Sequence, residues 1–379
     1  VAEQVGALSL GAVRVLSSVQ IGSLLSDQVG GFGSEQLRAL SGAQMGTVST
    51  VALAGLRADQ VEALGSVQVA GLQASQVRVL STEQVAALST EGLRGLGVAS
   101  IVGMGSLQVA ALEFAQVGAL SSVQLGGITA AAIRGMEPSD VAVLGSKQVV
   151  GLQSGQLGVL SGEQVGAVET SAFVALSDKQ LGALSLGGVK GLVEGQLGAM
   201  RSGQVGGLTT AQVRGLESDQ VGWLGLGALR ALNTAQVLAL ASHQVGGFGS
   251  EQLRALSGVQ VGVISSGAVA GFATEQIAAL GSVQVAGLVS AQMRAMSGEQ
   301  LGAIDAGVIA RIGTGALAGL SSAQVGSLLV DQVGALSSVQ VGGLVTGQLR
   351  GMMAEQVGAL SLGAVRVLSS VQIGSLLSD

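Results

Sequence analysis

A glutamine returns at the same place in unit after unit of this chain, at Gln4, Gln20, Gln28, Gln36 and onward. A carboxamide both donates and accepts, so such a row can do one of two things. Buried, it could lock neighbouring units through paired hydrogen bonds; exposed, it could bind a periodic surface such as a polysaccharide or a mineral. Serine and threonine precede it, as in Ser17-Ser18 and Ser81-Thr82, where their hydroxyls suit helix caps before glycan attachment or ice contact. Acidic residues recur one place before the glutamine (Glu3, Asp27, Glu35, Asp59, Glu83, Glu251, Glu275) and would be imagined as calcium ligands. No Asp-rich loop of the EF-hand kind accompanies them, so they read as a solvated face. The only histidine, His243, cannot by itself build the familiar histidine metal sites or a Ser-His-Asp triad. Glycine pairs at 30–31, 126–127, 206–207 and 246–247 lack the GxxxxGK[ST] context of a phosphate cradle. Paired carboxylates on a regular array also lack the asymmetric cleft that glycoside hydrolysis needs. The expectation is a chain with no catalytic residues, no cofactor and no metal site.

The elements that must position these residues follow from the spacing. From Val1 onward the chain divides into octads, VAEQVGAL, SLGAVRVL, SSVQIGSL and so on, without an insertion or deletion, and ends in a three-residue stub. With positions numbered 1 to 8, glutamine holds position 4, Val5, Ile21, Val29 and Leu37 hold position 5, and Leu8, Leu16, Leu24 and Leu40 hold position 8. Apolar spacings alternating three and five would need about four residues per turn, which excludes one long α-helix or a coiled coil. Positions 5 and 8 would face opposite sides of a strand, which leaves a β-solenoid as the alternative.

A short helix in each octad accounts for more positions at once. Ser81-Thr82-Glu83-Gln84 matches a capping box, with the hydroxyl at N-cap and glutamine at N3. The apolar pair then lies three apart on one face. Acids early and arginines late, at position 6 (Arg14, Arg38, Arg78, Arg94, Arg134, Arg214, Arg230, Arg254, Arg294, Arg350), suit the helix dipole. The single proline, Pro138, falls at N1. Glycine at position 1, as in Gly33 and Gly249, is expected to end one helix in a left-handed conformation. The fold class expected is an all-α repeat solenoid of very short helices, one per octad. Residues 1–379 are expected to form one continuous array, part of a longer chain or a filament, whose helices depend on their neighbours and therefore unfold cooperatively.

A second period overlies the first. Position 4 lacks glutamine at Ala12, Ala52, Gly92, Ala132 and Ala172, then in a new phase at Gly188, Ala228, Ala268 and Val308, with a further exception at Ser100. Five octads would then make either one superhelical turn or a duplicated segment without geometric meaning. Longer echoes include residues 28–41 at 244–257 and the opening AEQVGALSLGAVRVLSSVQIGSLLSD at 354–379, which is compatible with an open array or a head-to-tail filament.

Composition narrows the partners. There is no cysteine, which excludes disulfides, thiolate zinc sites and cysteine nucleophiles. Only 17 Lys and Arg are spread over 379 residues, too few for a basic stripe that would hold nucleic acid. Although 48% of residues are apolar, the returning glutamine interrupts every stretch that could span a bilayer. Aromatics are scarce: Trp223 at position 7 is a local binding spot or a bump, Phe32, Phe248 and Phe272 replace leucine at position 8, and Phe114 and Phe173 read as packing variants.

Two resemblances bear on function. LSTEQVAALS at 80–89 resembles the opening of the first helix in the DNA-reading repeats of transcription-activator-like effectors. Those repeats need a second helix and a base-reading loop, so the likeness implies a helix start and carries no DNA binding. The octads Ser9 to Leu16, Ser81 to Leu88 and Ser321 to Leu328 resemble the tandem Ser/Thr-x-x-Gln-Val-x-x-Leu arrays of very large bacterial surface or secreted proteins. That resemblance implies an extracellular or cell-surface stalk, sheath, adhesin spacer or filament component, and no binding residue comes with it. The expected partners are other copies or neighbouring repeats, with a glycan, peptide or extracellular polymer as ligand in the alternative where the array is a binding solenoid. In that alternative the position-6 arginines are the first candidates for the ligand row.

Overall fold

A computed structural model describes residues 2–376; Val1 and the stub 377–379 lie outside the described residues. Among them there are 47 helices, one per octad, and no strand, so the chain is an all-α repeat solenoid and the β alternative falls. The helices are four to seven residues long, from Gly42–Met45 to Ser370–Leu376. In isolation segments this short do not persist as helices, because nearly every backbone group in them is a terminal one.

Local geometry is the same throughout. In the octad Gly33 to Leu40, the helix Ser34–Ala39 is closed by Leu37 N–H to Gly33 C=O at 3.0 Å and Leu40 N–H to Leu37 C=O at 3.2 Å. Position 8 and the next position 1 are both extended: Leu40 has φ −70°, ψ 140° and Ser41 φ −75°, ψ 162°. Two extended residues thus turn the chain between helices. The left-handed glycine expected at position 1 does not form: Gly33 and Gly249 both have φ −74°, and none of the described residues has positive φ. The physical reason lies in the cap. An N-cap residue needs β-region dihedrals to aim its carbonyl into the next helix, and position 1 serves that helix and not the previous one. Pro138 begins the helix Pro138–Ala142, as its position requires.

The chain divides into two units, residues 1–192 and 193–379, and in the sequence the boundary falls between two octads, close to the change of register around Gly188. In the first unit each helix packs on the one three octads away, as Ser66–Ala70 does on Thr90–Gly95. In the second, Ser202–Gly206 packs likewise on Leu226–Ala231. Hydrogen bonds between successive turns join residues 25 to 31 apart, so a turn holds between three and four octads. Five octads per turn is therefore overturned: glutamine-lacking octads do not stack over one another, and the forty-residue period is a feature of the sequence without that geometric role.

Positions 5 and 8 form the interior of each unit. Leu37 and Leu40, Val109 and Leu112, Val213 and Leu216 are all buried. Glycine at position 7 lets turns approach: a Cβ on Gly71 would run into the backbone of Gly42, and one on Gly287 into that of Gly258. Within helices other glycines have open space around them, including Gly155, Gly203 and Gly227. There, alanine loses less backbone entropy on folding, so each Gly→Ala change is expected to add about 0.5–1 kcal/mol. Urea unfolding of the triple variant checks this, with a midpoint above that of the parent.

Candidate functional site: the glutamine row and its grooves

The glutamine side chain has two jobs at once. At Gln116, Oε1 accepts from the backbone N–H of Glu113 at 2.7 Å, which closes the start of its own helix. Nε2 donates to the carbonyls of Val85 (2.9 Å), Ala86 (3.1 Å) and Leu88 (2.6 Å), at the end of the helix four octads earlier. Gln244 in the second unit repeats this, with Ala241 N–H at 2.9 Å and the carbonyls of Val213 and Leu216 at 2.8 and 2.7 Å. Both jobs answer one physical need. Short helices leave N–H groups free at one end and C=O groups at the other, and a buried unpaired group is costly. The amide supplies an acceptor to the first and a donor to the second. The reach is always backward along the chain, to a carbonyl 28 to 31 residues earlier.

Burial decides between the two uses foreseen for this row. Gln196, Gln244 and Gln292 are 0% exposed, so these amides bind the protein itself and present nothing to a polysaccharide or mineral. Where the hydroxyl is present it adds the second half of the capping box, as Ser81 Oγ accepting from Gln84 N–H at 3.1 Å. Ser100 stands in for a glutamine, its Oγ donating to Leu72 C=O at 2.6 Å.

The arginine row is partly committed as well. Nε of Arg38 donates to Ala63 C=O at 2.9 Å, and Nε of Arg254 to Ala279 C=O at 2.8 Å, again bridging turns. Two exposed ion pairs, Arg38 with Glu35 (3.8 Å) and Arg57 with Asp59 (3.1 Å), add little to stability. The hydrogen bond from the Arg57 guanidinium holds the Asp59 carboxyl below its ordinary value.

The remaining candidates disperse. Glu3, Asp27, Glu35, Asp59 and Glu83 are exposed, and among the described residues no three His, Cys, Asp or Glu are grouped to hold a metal ion. His243 is exposed, and its carbonyl accepts from Ser218 Oγ at 2.9 Å. Trp223 is half-buried. Phe32, Phe173, Phe248 and Phe272 are core residues, but Phe114 is 58% exposed and is not a packing residue. No described helix is long and apolar enough to cross a membrane.

Open features of the first unit include two with polar linings. One is a groove of about 1270 Å³ whose lining includes Arg14, Ser34, Arg38, Ser66, Thr90 and Glu91. The other is lined in part by Asp140, a buried acid in the position that glutamine usually holds. Aligning every octad by position would have exposed it, since all the other exceptions at position 4 are neutral.

Comparison with known proteins agrees with a tandem-repeat protein. Residues 189–226 and 309–346 match the ALTTAQ repeat family. Both windows open one residue after a glutamine-lacking position 4, Gly188 and Val308, so the family repeat and the forty-residue period run in phase. No curated protein matches the chain. A crystal structure of an engineered protein from a structural genomics consortium aligns over 100% of this chain and 98% of its own, at 14% identity and a TM-score of 0.20, a likeness that carries no argument.

Proposed function

We propose that this chain is a non-catalytic structural scaffold of the bacterial exterior, a stalk, sheath, adhesin spacer or filament component. The carrying observation is that the repeating polar side chain is spent within the fold: Gln116, Gln244 and Gln292 join one turn to another. Repetition of this kind supplies length and regularity, and the best-repeated residues serve cohesion before recognition. The exposed acids at position 3 keep the outer face hydrated. The chain's partners are then other copies or neighbouring repeats, and neither nucleic acid nor a cofactor is required.

A binding solenoid for a glycan, peptide or extracellular polymer is the second reading, favoured by the groove beside Arg14 and Arg38, where charged and hydroxyl groups line one surface. Immunogold labelling of intact cells, paired with cryo-electron microscopy of the purified chain over a concentration series, tests the first reading. External label with filaments or uniform rods is expected; label confined to the cell interior would overturn the surface assignment. Retention on a glycan array that the Arg14→Ala, Arg38→Ala double variant loses would favour the second reading.

A further inference from the structure

The octad Glu137 to Leu144 inverts the rule that holds the turns together. Asp140 stands where glutamine is expected and is 4% exposed. One of its oxygens, Oδ2, accepts from the Glu137 backbone N–H at 2.9 Å, which reproduces the capping half of the glutamine's work. The other half is reversed. A glutamine here would donate to the end of the helix Ser106–Ala110, at the carbonyls of Ala110 and Leu112, as Gln116 donates to Ala86 and Leu88. A carboxylate has no hydrogen to give, and among the described residues neither of those carbonyls receives a hydrogen bond. The second oxygen of Asp140 also has no partner among the described residues, and Asp140 lines an open cavity of about 500 Å³. Glu113 and Glu137 stand at its rim, and the exposed ring of Phe114 forms one wall.

This lining offers acceptors, negative charge and an aromatic face, but no basic side chain. The partner it lacks is therefore a hydrogen-bond donor with positive charge. A chelated metal is disfavoured, since no three carboxylates converge here. A primary ammonium group has three N–H donors and an alkyl stem suited to an aromatic wall. We propose that this cavity binds a primary alkylammonium group, whose N–H donors replace the missing glutamine amide between Asp140 and the carbonyls of Ala110 and Leu112. The group comes from a free diamine or from a lysine of a second copy of the chain. This inference does not depend on where the protein is located.

Titration calorimetry of the full chain with 1,5-diaminopentane at neutral pH tests it, with uncharged 1,5-pentanediol as the isosteric control and sedimentation velocity to follow association. Saturable binding of the diamine to the unassociated chain identifies the free-amine source. Self-association that the diamine competes away identifies lysine from a second copy. Asp140→Gln restores the repeat's own amide, so this variant folds and is expected to bind or associate at least about tenfold more weakly, consistent with loss of a charge-assisted contact. Absence of both binding and competition, equal binding of pentanediol, or undiminished binding by D140Q would each overturn the proposal. Binding of calcium chloride in preference to the diamine would also overturn it, in favour of a divalent-cation site.

Discussion

Replacing Gln244 by alanine is expected to destabilise the second unit by about 3–5 kcal/mol, because it removes a donor shared by two buried carbonyls and an acceptor for a helix-start N–H. The bonds at stake are those to Val213, Leu216 and Ala241, around an amide that is 0% exposed. Urea unfolding reads the loss as a lower midpoint at unchanged slope. Gln20 supplies the contrast: it is exposed and its described side-chain bond is with its own Ser17 N–H. Gln20→Ala should therefore cost only about 0.5–1 kcal/mol, the scale of a lost cap. Gln244→Glu sharpens the test. The charged form sets an acceptor against carbonyls, so protonation is favoured in the folded state and the folded pKa lies above the unfolded one. The variant's deficit relative to the parent should then be largest at neutral pH and shrink as pH falls through that folded pKa. Equal losses for Gln20→Ala and Gln244→Ala would contradict the inter-turn role of the amide.

The second large effect concerns the close approach of turns. Gly71 lies against the backbone of Gly42, so Gly71→Val must push a turn outward, where no flexible side chain can yield. The expected loss is at least that of overpacking a core, about 1–3 kcal/mol, with the disturbance concentrated where helix Ser66–Ala70 meets helix Gly42–Met45. Hydrogen exchange should report faster amide exchange in peptides covering Ser41 to Leu80 and little change in those covering residues 193–379. The same substitution at Gly203, which has open space around it, should leave exchange near the parent rates. Similar exchange in both variants would refute the steric account.

Much of this architecture is readable from the octad. Hydroxyl, acid, glutamine and two aliphatic residues at fixed offsets point to a capped helix with one buried face, and the helices Thr82–Ala87 and Pro138–Ala142 begin where the caps place them. What cannot be read from local spacing is the number of octads in a turn. That number depends on the bend made by two extended residues between helices, and a forty-residue period suggests a different answer from the one that backbone approach enforces. The left-handed glycine fails for a related reason, because glycine at position 1 is compatible with that conformation but the following helix requires another. The role of the amide was legible in type and not in reach: Gln84 plainly suits a cap, while its bond to Leu56 becomes visible only once the turns are stacked. Asp140 is visible as a letter, and its meaning appears only beside the carbonyls it cannot satisfy.

The backward reach of every inter-turn amide gives the fold a direction in time. Gln116 latches Leu88 and Gln348 latches Leu320, so a carbonyl is secured as soon as the next four octads exist. A chain leaving a ribosome or a secretion pore with its N-terminus first can therefore consolidate each completed turn while the remainder is still being delivered. Contacts this near in sequence carry small loop-closure costs. Lengthening the array by further octads then adds to the time of synthesis without adding a slow search at its end.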